Sequence, residues 1–554
     1  MATYSLGIDY GTNSVRALVV NTANGAEVGE AVVHYPSGAD GILLASHDHN
    51  LARQSPEDYL KCLAQVVQAA LRQARAQAGV RARDVIGIGV DTTGSTPIPV
   101  DERNQPMCRQ RQFRKNLNAY AWLWKDHTAF EEAARITALA KKMRPHFLRK
   151  CGGVYSSEWY WAKLWHCLKV APDLFAATQA WLELEDYIPA VLCGVKTPAE
   201  VVRGVCAAGH KAMYNRRWGG YPDTAFLAKL DPRLARLRQR MNTKALAIDH
   251  KAGRLSPEWA AALGLPDGLS VAVGAFDAHL GAVGAGVKPG TLVKIIGTST
   301  CDIMVARNTG AVPDIPGVCG IVEGSVLPGY VGIEAGQSAV GDIFRWFVTN
   351  VCQGHDALQV KLTAEARRLR PGASGLLALD WNNGNRTILV DPQLTGLMVG
   401  QTLHTTRAEI YRALLEATAF GALTIINRIE EYGVRIKRVV CCGGIAEKNE
   451  LFMQIYADVL NRPMTISRSA QTCALGAAIA GALAGGAYPR IEPAIAAMTG
   501  VKAKVYSPLP RHVAIYRKLY QQYKVLHDAF GGVAGSATMA KVMKDLLVLK
   551  QKVS

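Results

Sequence analysis

The stretches that decide the fold are IDYGTNSVR (residues 8–16) and IGTSTCD (residues 296–302). Each follows apolar, β-prone residues (4–8 and 292–296) and precedes more of them (17–20 and 303–306), which predicts strand, tight turn and strand. Glycine lets a backbone approach a ligand closely, and N–H groups with Thr or Ser hydroxyls are donors for phosphate oxygens. Because aligning Gly11 with Gly297 also aligns Thr12 with Thr298, we expect a duplicated polyphosphate clamp. The alternative is an ordinary hairpin at each place.

The size of the chain predicts two large domains. Its 554 residues exceed what one hydrophobic core normally supports, and a cleft between domains is the usual place for a ligand. Hydrophobic residues at 49% and charged residues at 19% are typical of a globular protein. We expect domains at residues 1–287 and 288–530, followed by a flexible link and basic tail at 531–554.

Charge and cysteine usage exclude several classes of protein. The net charge of +18 comes from dispersed basic clusters at 109–115, 141–150 and 233–240, without the interleaved aromatic residues of a nucleic-acid surface. A role of this charge in attracting an anionic nucleotide stays open. The sequence shows neither a secretory signal nor an apolar run long enough to span a membrane. Twelve cysteines without CxxC pairs predict reduced thiols in a cytoplasmic protein.

The order of predicted elements is typical of an α/β protein with sites at strand ends. A helix at 55–77 precedes the strand VIGIGVD (85–91) and the loop TTGSTP (92–97). The strand 269–273 leads into GAFDAH (274–279), and the strand RVVCC (438–442) into Gly443, Gly444 and a helix bearing Asn449. These segments and the two hairpins would meet at a nucleotide between the domains. Aromatic segments at 122–127 and 155–163 either line a polyol pocket or belong to the core.

Three motifs carry a family resemblance. DYGTNSVR (9–16), GTST (297–300) and the pattern GG-x4-N-x4-Q-x2-AD (443–458) resemble, in the same order, the phosphate and adenosine motifs of the FGGY carbohydrate kinases. The resemblance covers residues 4 to about 528. It implies the two-domain α/β fold of the actin, hexokinase and Hsp70-type ATPases, which is ribonuclease H-like, with the active site in the interdomain cleft. VDTTGSTP (90–97) and GAFDAH (274–279) are most similar to the branch that phosphorylates L-ribulose.

The resemblance also implies roles for individual residues, with ATP and Mg²⁺ as cofactors. Asp277 would be the catalytic base, and Asp9 would hold Mg²⁺ largely through water. The ATP phosphates would bind at Gly11, Thr12, Asn13, Arg16, Gly297 and Thr298. Adenosine would bind at Gly443, Gly444 and Asn449. The sugar would bind at Gly94, Ser95, Lys211, Asp277 and Glu334.

The function implied is ATP-dependent phosphorylation of L-ribulose to ribulose 5-phosphate in L-arabinose breakdown, with D-ribulose left open. One alternative is a sister kinase acting on D-ribulose, xylulose, ribitol or glycerol. Another is a non-catalytic ATP-binding sensor on the same scaffold. Asp277 could also be only a helix cap, and Lys211 and Glu334 only surface charges. The expected partners are the pentulose and ATP, without nucleic acid or membrane, and a homodimer stays open.

Overall fold

The computed structural model describes residues 2–46, 48–310, 313–533, 539 and 543–544. Its strands, in chain order, are β1 Tyr4–Tyr10, β2 Ser14–Asn21, β3 Glu27–His34, β4 Leu43–Ala45, β5 Asp48–Gln54, β6 Val85–Thr92, β7 Pro97–Val100, β8 Ala121–Trp122, β9 Ala180–Glu183, β10 Arg203–Gly204, β11 Ala245–Leu246, β12 Lys251–Arg254, β13 Ser270–Ala272, β14 Ala275–Phe276, β15 Thr291–Ile296, β16 Thr300–Arg307, β17 Gly320–Glu323, β18 Tyr330–Ala335, β19 Leu377–Leu379, β20 Leu397–Val399, β21 Arg438–Cys442, β22 Met464–Ser467 and β23 Val501–Tyr506.

The α-helices of the described residues connect and cover these strands. In chain order they are α1 Pro56–Ala78, α2 Phe130–Met143, α3 His146–Arg149, α4 Tyr160–Val170, α5 Pro172–Ala177, α6 Leu184–Leu192, α7 Val205–Lys211, α8 Thr224–Leu230, α9 Pro232–Gln239, α10 Pro257–Leu263, α11 Asp277–Gly284, α12 Gly341–Trp346, α13 Asp356–Arg368, α14 Arg407–Glu431, α15 Gly444–Lys448, α16 Glu450–Leu460, α17 Thr472–Ala484, α18 Ile491–Met498 and α19 Pro510–Gly531. None of them combines the length and apolarity that a bilayer crossing needs.

Two mixed sheets repeat one topology. The first sheet has the strand order β3-β2-β1-β6-β13-β12. Its successive neighbouring pairs are antiparallel, antiparallel, parallel, parallel and antiparallel, and β14 is also parallel to β6. In the second sheet the order β18-β16-β15-β21-β22-β23 has the same succession of directions, and β17 adds an outer strand. The predicted two-domain α/β fold built on a duplicated unit is therefore confirmed.

The two predicted hairpins are confirmed, and each lies at the centre of its sheet. They are β1–β2 and β15–β16, which occupy equivalent places in the repeated topology. The Gly11 N–H donates to the Ser14 carbonyl at 3.0 Å, and the Gly297 N–H donates to the Ser299 carbonyl at 2.9 Å. Neither glycine has a positive φ, and an added Cβ would meet its first neighbour only at 3.4 Å for Gly11 and 4.0 Å for Gly297. The turns do not require glycine for their conformation, so its effect is to leave open space beside the backbone.

Helices α11 and α17 lie against the first sheet, in a core that also includes side chains of β15, β16 and β21 from the second sheet. Small residues allow this close packing: a Cβ on Gly7 would lie 1.9 Å from the Ala474 carbonyl oxygen, and one on Gly476 would lie 1.8 Å from the Leu280 carbonyl oxygen. The small-apolar run that begins at Ala474 is thus a packed helix, as its composition indicates. Although α17 lies in the second half of the sequence, it packs on β1 and β6.

The domain limits at 287/288 and 530/531 stay predictions. Residues 534–538, 540–542 and 545–554, which make up most of the expected link and tail, lie outside the described residues. Within that segment, Met543 is buried against the core of the second sheet and Lys544 forms an ion pair with Asp391. These two residues therefore contact the second half of the protein.

Candidate active site

Three carboxylates meet where the first sheet ends at the cleft. Asp9 on β1 and Asp91 on β6 are register partners in parallel strands, so their side chains leave the same face of the sheet. On the other side of β6, Asp91 pairs with Ala275 of β14. Asp277, the first residue of α11, follows Ala275 by two positions. Asp9 and Asp91 are buried, whereas Asp277 is half-buried.

Asp277 has the properties of a base that works near neutral pH. Burial, together with the negative charges of Asp9 and Glu334, raises the pKa of Asp277 to about 7, against the opposing effects of the Ala278 N–H and Lys211. Its Oδ1 accepts a hydrogen bond from the Ala278 N–H at 2.6 Å. The residue does begin a helix, as the capping alternative supposed, but its shifted pKa and its acidic neighbours are those of a reactive group.

Asp91 was quoted in a motif but given no role by sequence reasoning. It is fully buried, and neither carboxylate oxygen has a hydrogen-bond donor among the described residues. Burial, with the charges of Asp9 and Asp277, raises the pKa of Asp91 well above its usual value. A signal for Asp91 was present in the sequence: it lies near the end of one buried strand, and Asp9 lies near the end of another.

Arg16 lies beside Asp9 across the first hairpin. The two residues are register partners in β1–β2, and Arg16 Nη1 donates to Asp9 Oδ2 at 3.0 Å. The Arg16 side chain is 41% exposed. It therefore has a free side towards solvent from which it could reach an anion in the cleft.

The side chains of the first turn already have partners. Thr12 Oγ1 accepts a hydrogen bond from Trp124 Nε1 at 3.1 Å, and the Thr12 carbonyl accepts one from Gln54 Nε2 at 2.6 Å. Asn13 Nδ2 donates to the Asp40 carbonyl at 2.6 Å. These contacts fix the turn, so the backbone N–H groups of Thr12 and Asn13 and the Thr12 hydroxyl hydrogen are the donors left for a phosphate, since the Gly11 N–H is bonded to the Ser14 carbonyl.

The second hairpin lies next to the glycine pair of the adenosine motif. Gly297 and Thr298 are exposed, and their carbonyls accept N–H bonds from Gly341 and Val340 at 3.2 and 2.8 Å. Gly443 has a φ of +97°, and a Cβ there would lie 2.2 Å from the Ile296 carbonyl oxygen. At Gly444, which begins α15, a Cβ would meet nothing within 4 Å. The structure thus brings these two motifs together.

The end of the adenosine motif is largely structural. Asn449 Oδ1 caps α16 by accepting the Phe452 N–H at 3.0 Å, which leaves the amide nitrogen as the end that could meet a base. Gln454 Nε2 donates to Asp458 Oδ1 at 2.9 Å, and Asp458 accepts the Leu509 N–H at 2.8 Å. This part of the pattern therefore joins α16 to the start of α19.

Lys211 and Glu334 form a buried ion pair. Lys211 Nζ lies 3.3 Å from Glu334 Oε1 and 3.4 Å from Glu334 Oε2, and both residues are only 8% exposed. Despite burial, the Lys211 ammonium holds the pKa of Glu334 well below its usual value. The alternative that treated these two residues as surface charges is wrong.

Two buried histidines extend this cluster. His210 Nε2 and His279 Nε2 lie 3.0 Å apart, and His210 Nδ1 lies 3.2 Å from Glu334 Oε2. Burial lowers the pKa of His210 well below its usual value and that of His279 to about 4, so both rings are neutral at pH 7. The sequence motifs contained both histidines, but no spacing linked them to each other.

The Gly94–Ser95 loop is held by a second buried network. The Ser95 hydroxyl donates to Glu183, the Thr96 N–H donates to Glu183 Oε2 at 2.7 Å, and Lys163 Nζ donates to the Ser95 carbonyl at 2.9 Å. A Cβ on Gly94 would lie 2.1 Å from the Phe276 ring, next to Asp277. The loop therefore reaches the site, but the Ser95 side chain is directed into the protein. Sequence reasoning missed Lys163 and Glu183.

Two cysteines relate the hairpins to the acidic cluster. Burial raises the pKa of Cys473, at the start of α17, and Asp9, Asp91, Asp277 and Cys442 raise it further. Burial also raises the pKa of Cys301, on β16, to about 11, with Asp277 among the charges that act on it. The charge of Asp277 thus acts on cysteines at the start of α17 and on β16, which indicates that the two hairpins and the end of β21 lie near Asp277.

The donor set around Asp9 fits a magnesium ion. Carboxylate oxygens are the ligands that Mg²⁺ prefers, and it commonly keeps several waters. The unpartnered oxygens of Asp91 next to Asp9 are a site where a cation would compensate buried negative charge.

Comparison with known families gives two matches. Residues 4–284 match the N-terminal domain, and residues 292–485 the C-terminal domain, of the FGGY family of carbohydrate kinases. Among curated relatives, a ribulokinase of Halalkalibacterium halodurans is 43% identical over 99% of this chain and 97% of its own length. A ribulokinase of Shouchella clausii is 42% identical over 99% of this chain and 98% of its own length.

Solved structures support the fold. A xylulose kinase from Rhodospirillum rubrum superimposes with a TM-score of 0.78 at 22% identity, covering 95% of this chain and 99% of that one. A Plasmodium falciparum glycerol kinase with ADP gives a TM-score of 0.76 at 15% identity, covering 95% of this chain and 98% of that one. At these identities the similarity concerns the architecture alone.

Proposed function

This chain belongs to the FGGY family of carbohydrate kinases, and from that premise we propose that it phosphorylates L-ribulose with ATP. The product is ribulose 5-phosphate, in L-arabinose breakdown, and D-ribulose is a second substrate to test. Ribulokinase relatives that match nearly the whole chain at 42–43% identity support this substrate. The single observation that carries the chemistry is Asp277, a half-buried carboxylate whose pKa is raised to about 7 by burial and by the charges of Asp9 and Glu334.

Asp277 is the general base of the proposed reaction. The sugar hydroxyl oxygen forms a bond to the γ-phosphorus, the bond from that phosphorus to the bridging oxygen of ADP breaks, and the hydroxyl proton goes to Asp277. A carboxylate whose pKa lies near the working pH accepts a proton efficiently and can release it again. The short helix α11 fixes Asp277 at its first turn, beside the end of β14.

The two hairpins hold the ATP phosphates from opposite halves of the fold. Thr12 and Asn13 offer backbone N–H groups on one side and Thr298 on the other, while Gly11 and Gly297, whose N–H groups are bonded within their turns, leave room for the phosphates to approach. The open space beside Gly11 and Gly297 supports this role. Arg16, oriented by Asp9, neutralises charge on the phosphate chain.

Mg²⁺, when bound with ATP, withdraws negative charge from the phosphoryl group. Asp9 would hold this ion largely through water, since it is a buried carboxylate beside the phosphate turn. Asp91 adds negative charge next to it.

The sugar lies between the Gly94–Ser95 loop and the Lys211–Glu334 pair. A ketopentose offers a carbonyl that accepts from an ammonium group and hydroxyls that donate to a carboxylate. Ser95 contributes through its backbone, because its hydroxyl is bonded to Glu183. Gly443, Gly444 and the amide nitrogen of Asn449 form the surface on which adenosine rests.

The remaining expectations concern the setting of the enzyme. All twelve cysteines are free thiols, which supports a reducing, cytoplasmic location. The absence of nucleic-acid and membrane partners, and the homodimer, stay predictions.

A substrate panel tests the proposed function. ADP release is measured with L-ribulose, D-ribulose, xylulose, ribitol and glycerol, each at several concentrations and with a blank that lacks sugar. We expect kcat/KM to be highest for L-ribulose and the blank to be low, because closure of the cleft excludes water. A higher value for another polyol would replace the substrate, and ATP binding without any sugar-stimulated ADP release would identify a non-catalytic sensor.

A further inference from the structure

Arg386 lies at the second phosphate hairpin, in the segment between β19 and β20, and sequence reasoning gave it no role. Its Nη2 donates to the Thr300 carbonyl at 2.6 Å, directly after the turn that contains Gly297 and Thr298. Gly336 provides the space for the guanidinium, since a Cβ there would lie 2.5 Å from Arg386 Nη2. The segment is thus tied to the first residue of β16.

The guanidinium shares a sheet face with the sugar-site carboxylate. In β16 and β18, Ile303 pairs with Glu334 and Asp302 with Ala335, so Cys301, Glu334 and Gly336 belong to the same face of the second sheet. Arg386 stands where a side chain of Gly336 would be. It is one of the cations that lower the pKa of Glu334, and Cys301 lies within electrostatic reach of both Arg386 and Asp277.

Arg386 is a half-buried cation without a matching anion. Its Nε is buried and has no hydrogen-bond partner, and no carboxylate of the described residues lies within the 4 Å of an ion pair. Glu334, the acidic group of this face, is paired with Lys211 instead. A half-buried guanidinium with an unpartnered, buried Nε has its charge uncompensated by the protein, which indicates that an anion comes to this place during the working cycle.

The proposed reaction supplies one such anion at this place. A ketopentose is neutral, and negative charge appears on it only when the phosphoryl group is transferred. Resting on the proposed function, we propose that Arg386 is a further catalytic residue: its guanidinium binds the phosphoryl group as it arrives on the sugar and holds the phosphate of the product. As the sugar oxygen bonds to the γ-phosphorus and ADP leaves, Asp277 takes the proton and Arg386 donates hydrogen bonds to phosphoryl oxygens.

The test compares the substrate and its phosphate as ligands. The sugar of highest kcat/KM in the wild-type panel and its phosphate are titrated by calorimetry into wild type, Arg386→Gln and Arg386→Lys, and steady-state kinetics are measured for each. Arg233→Gln, a surface arginine paired with Asp231, is the matched control. Melting temperatures show whether each variant folds, and Arg386→Lys keeps a cation if Arg386→Gln does not fold.

We expect Arg386→Gln to weaken binding of the sugar phosphate at least about tenfold, to change binding of the free sugar less than about threefold, and to lower kcat with an unchanged KM for ATP. Arg386→Lys restores part of the phosphate affinity, because a point charge replaces the bidentate group. Equal losses of affinity for the sugar and for its phosphate would mean that Arg386 contacts a hydroxyl group, and would overturn the proposal. Unchanged affinities with a lower melting temperature would also overturn it, because they are expected if Arg386 only stabilises the backbone at Thr300. A wild type that phosphorylates no sugar overturns the proposed function itself and this assignment with it.

Discussion

Lys211 Nζ lies 3.3 Å from Glu334 Oε1, and this buried ion pair joins a helix of the first half of the chain, α7, to a strand of the second half, β18. The contact spans the region where the sugar is expected, with Asp277 within electrostatic reach of both charges. In its proposed sugar-binding role, a pair that links the two halves would couple substrate binding to closure of the cleft.

Lys211→Met is therefore expected to raise the KM for L-ribulose at least about tenfold while the KM for ATP changes little, because the ammonium donor is lost from the sugar side. Stability should fall by about 3 kcal/mol, since Glu334 is left buried without its main partner. Steady-state kinetics with each substrate varied, together with denaturant unfolding, measure both effects. Lys229→Met, on the exposed side of α8, is the control, and equal changes in both KM values would contradict the assignment.

The pKa of Asp277, raised to about 7, predicts the pH dependence of catalysis. The base acts as a carboxylate, so kcat/KM for the sugar should rise about tenfold per pH unit below pH 7 and level off above it. Asp9 and Glu334 are the anions that raise the pKa of this group, and Lys211 is the cation that lowers it. Lys211→Met should therefore move the rising limb to higher pH. A limb near pH 4, the usual range of an aspartate, would contradict a base with a raised pKa.

Alanine substitutions of the motif glycines separate ligand approach from backbone conformation. Gly11→Ala and Gly297→Ala should fold with nearly unchanged melting temperature, because neither position has a positive φ and each has space for a methyl group. Both should raise the KM for ATP about tenfold by displacing the phosphates. Gly443→Ala, which combines a φ of +97° with a 2.2 Å contact to the Ile296 carbonyl oxygen, should instead lower the melting temperature. Unchanged ATP kinetics in the first two variants would argue against the clamp.

Much of the fold could be predicted because it depends on local signals. Apolar runs interrupted by Gly-Thr turns identified both hairpins, and the strand before Gly443 was read with its observed limits, 438–442. The middle of the chain was not predicted in detail, since its Trp-rich core is assembled from short helices and two-residue strands whose periodicity is weak.

The site was predictable where one motif carries one role, and not where distant segments meet. Asp277, Lys211 and Glu334 each lie in a recognisable motif, and the structure brings them together. Asp91, His279 and Arg386 acquire their environment from neighbouring strands and helices, so no linear spacing connects them to their partners. Ser95 and Asn449 show the converse, because their side chains stabilise the protein within motifs that otherwise reach the cleft.

The central claim is that Asp277 deprotonates the sugar hydroxyl during transfer from ATP. It is tested most directly by measuring L-ribulose-dependent ADP release by Asp277→Asn alongside its ATP affinity. Because the amide has the shape of the carboxylate but accepts no proton, kcat should fall at least about a hundredfold while the Kd for ATP stays within about threefold of wild type. An Asp277→Asn enzyme that turns over L-ribulose at the wild-type rate would contradict the account.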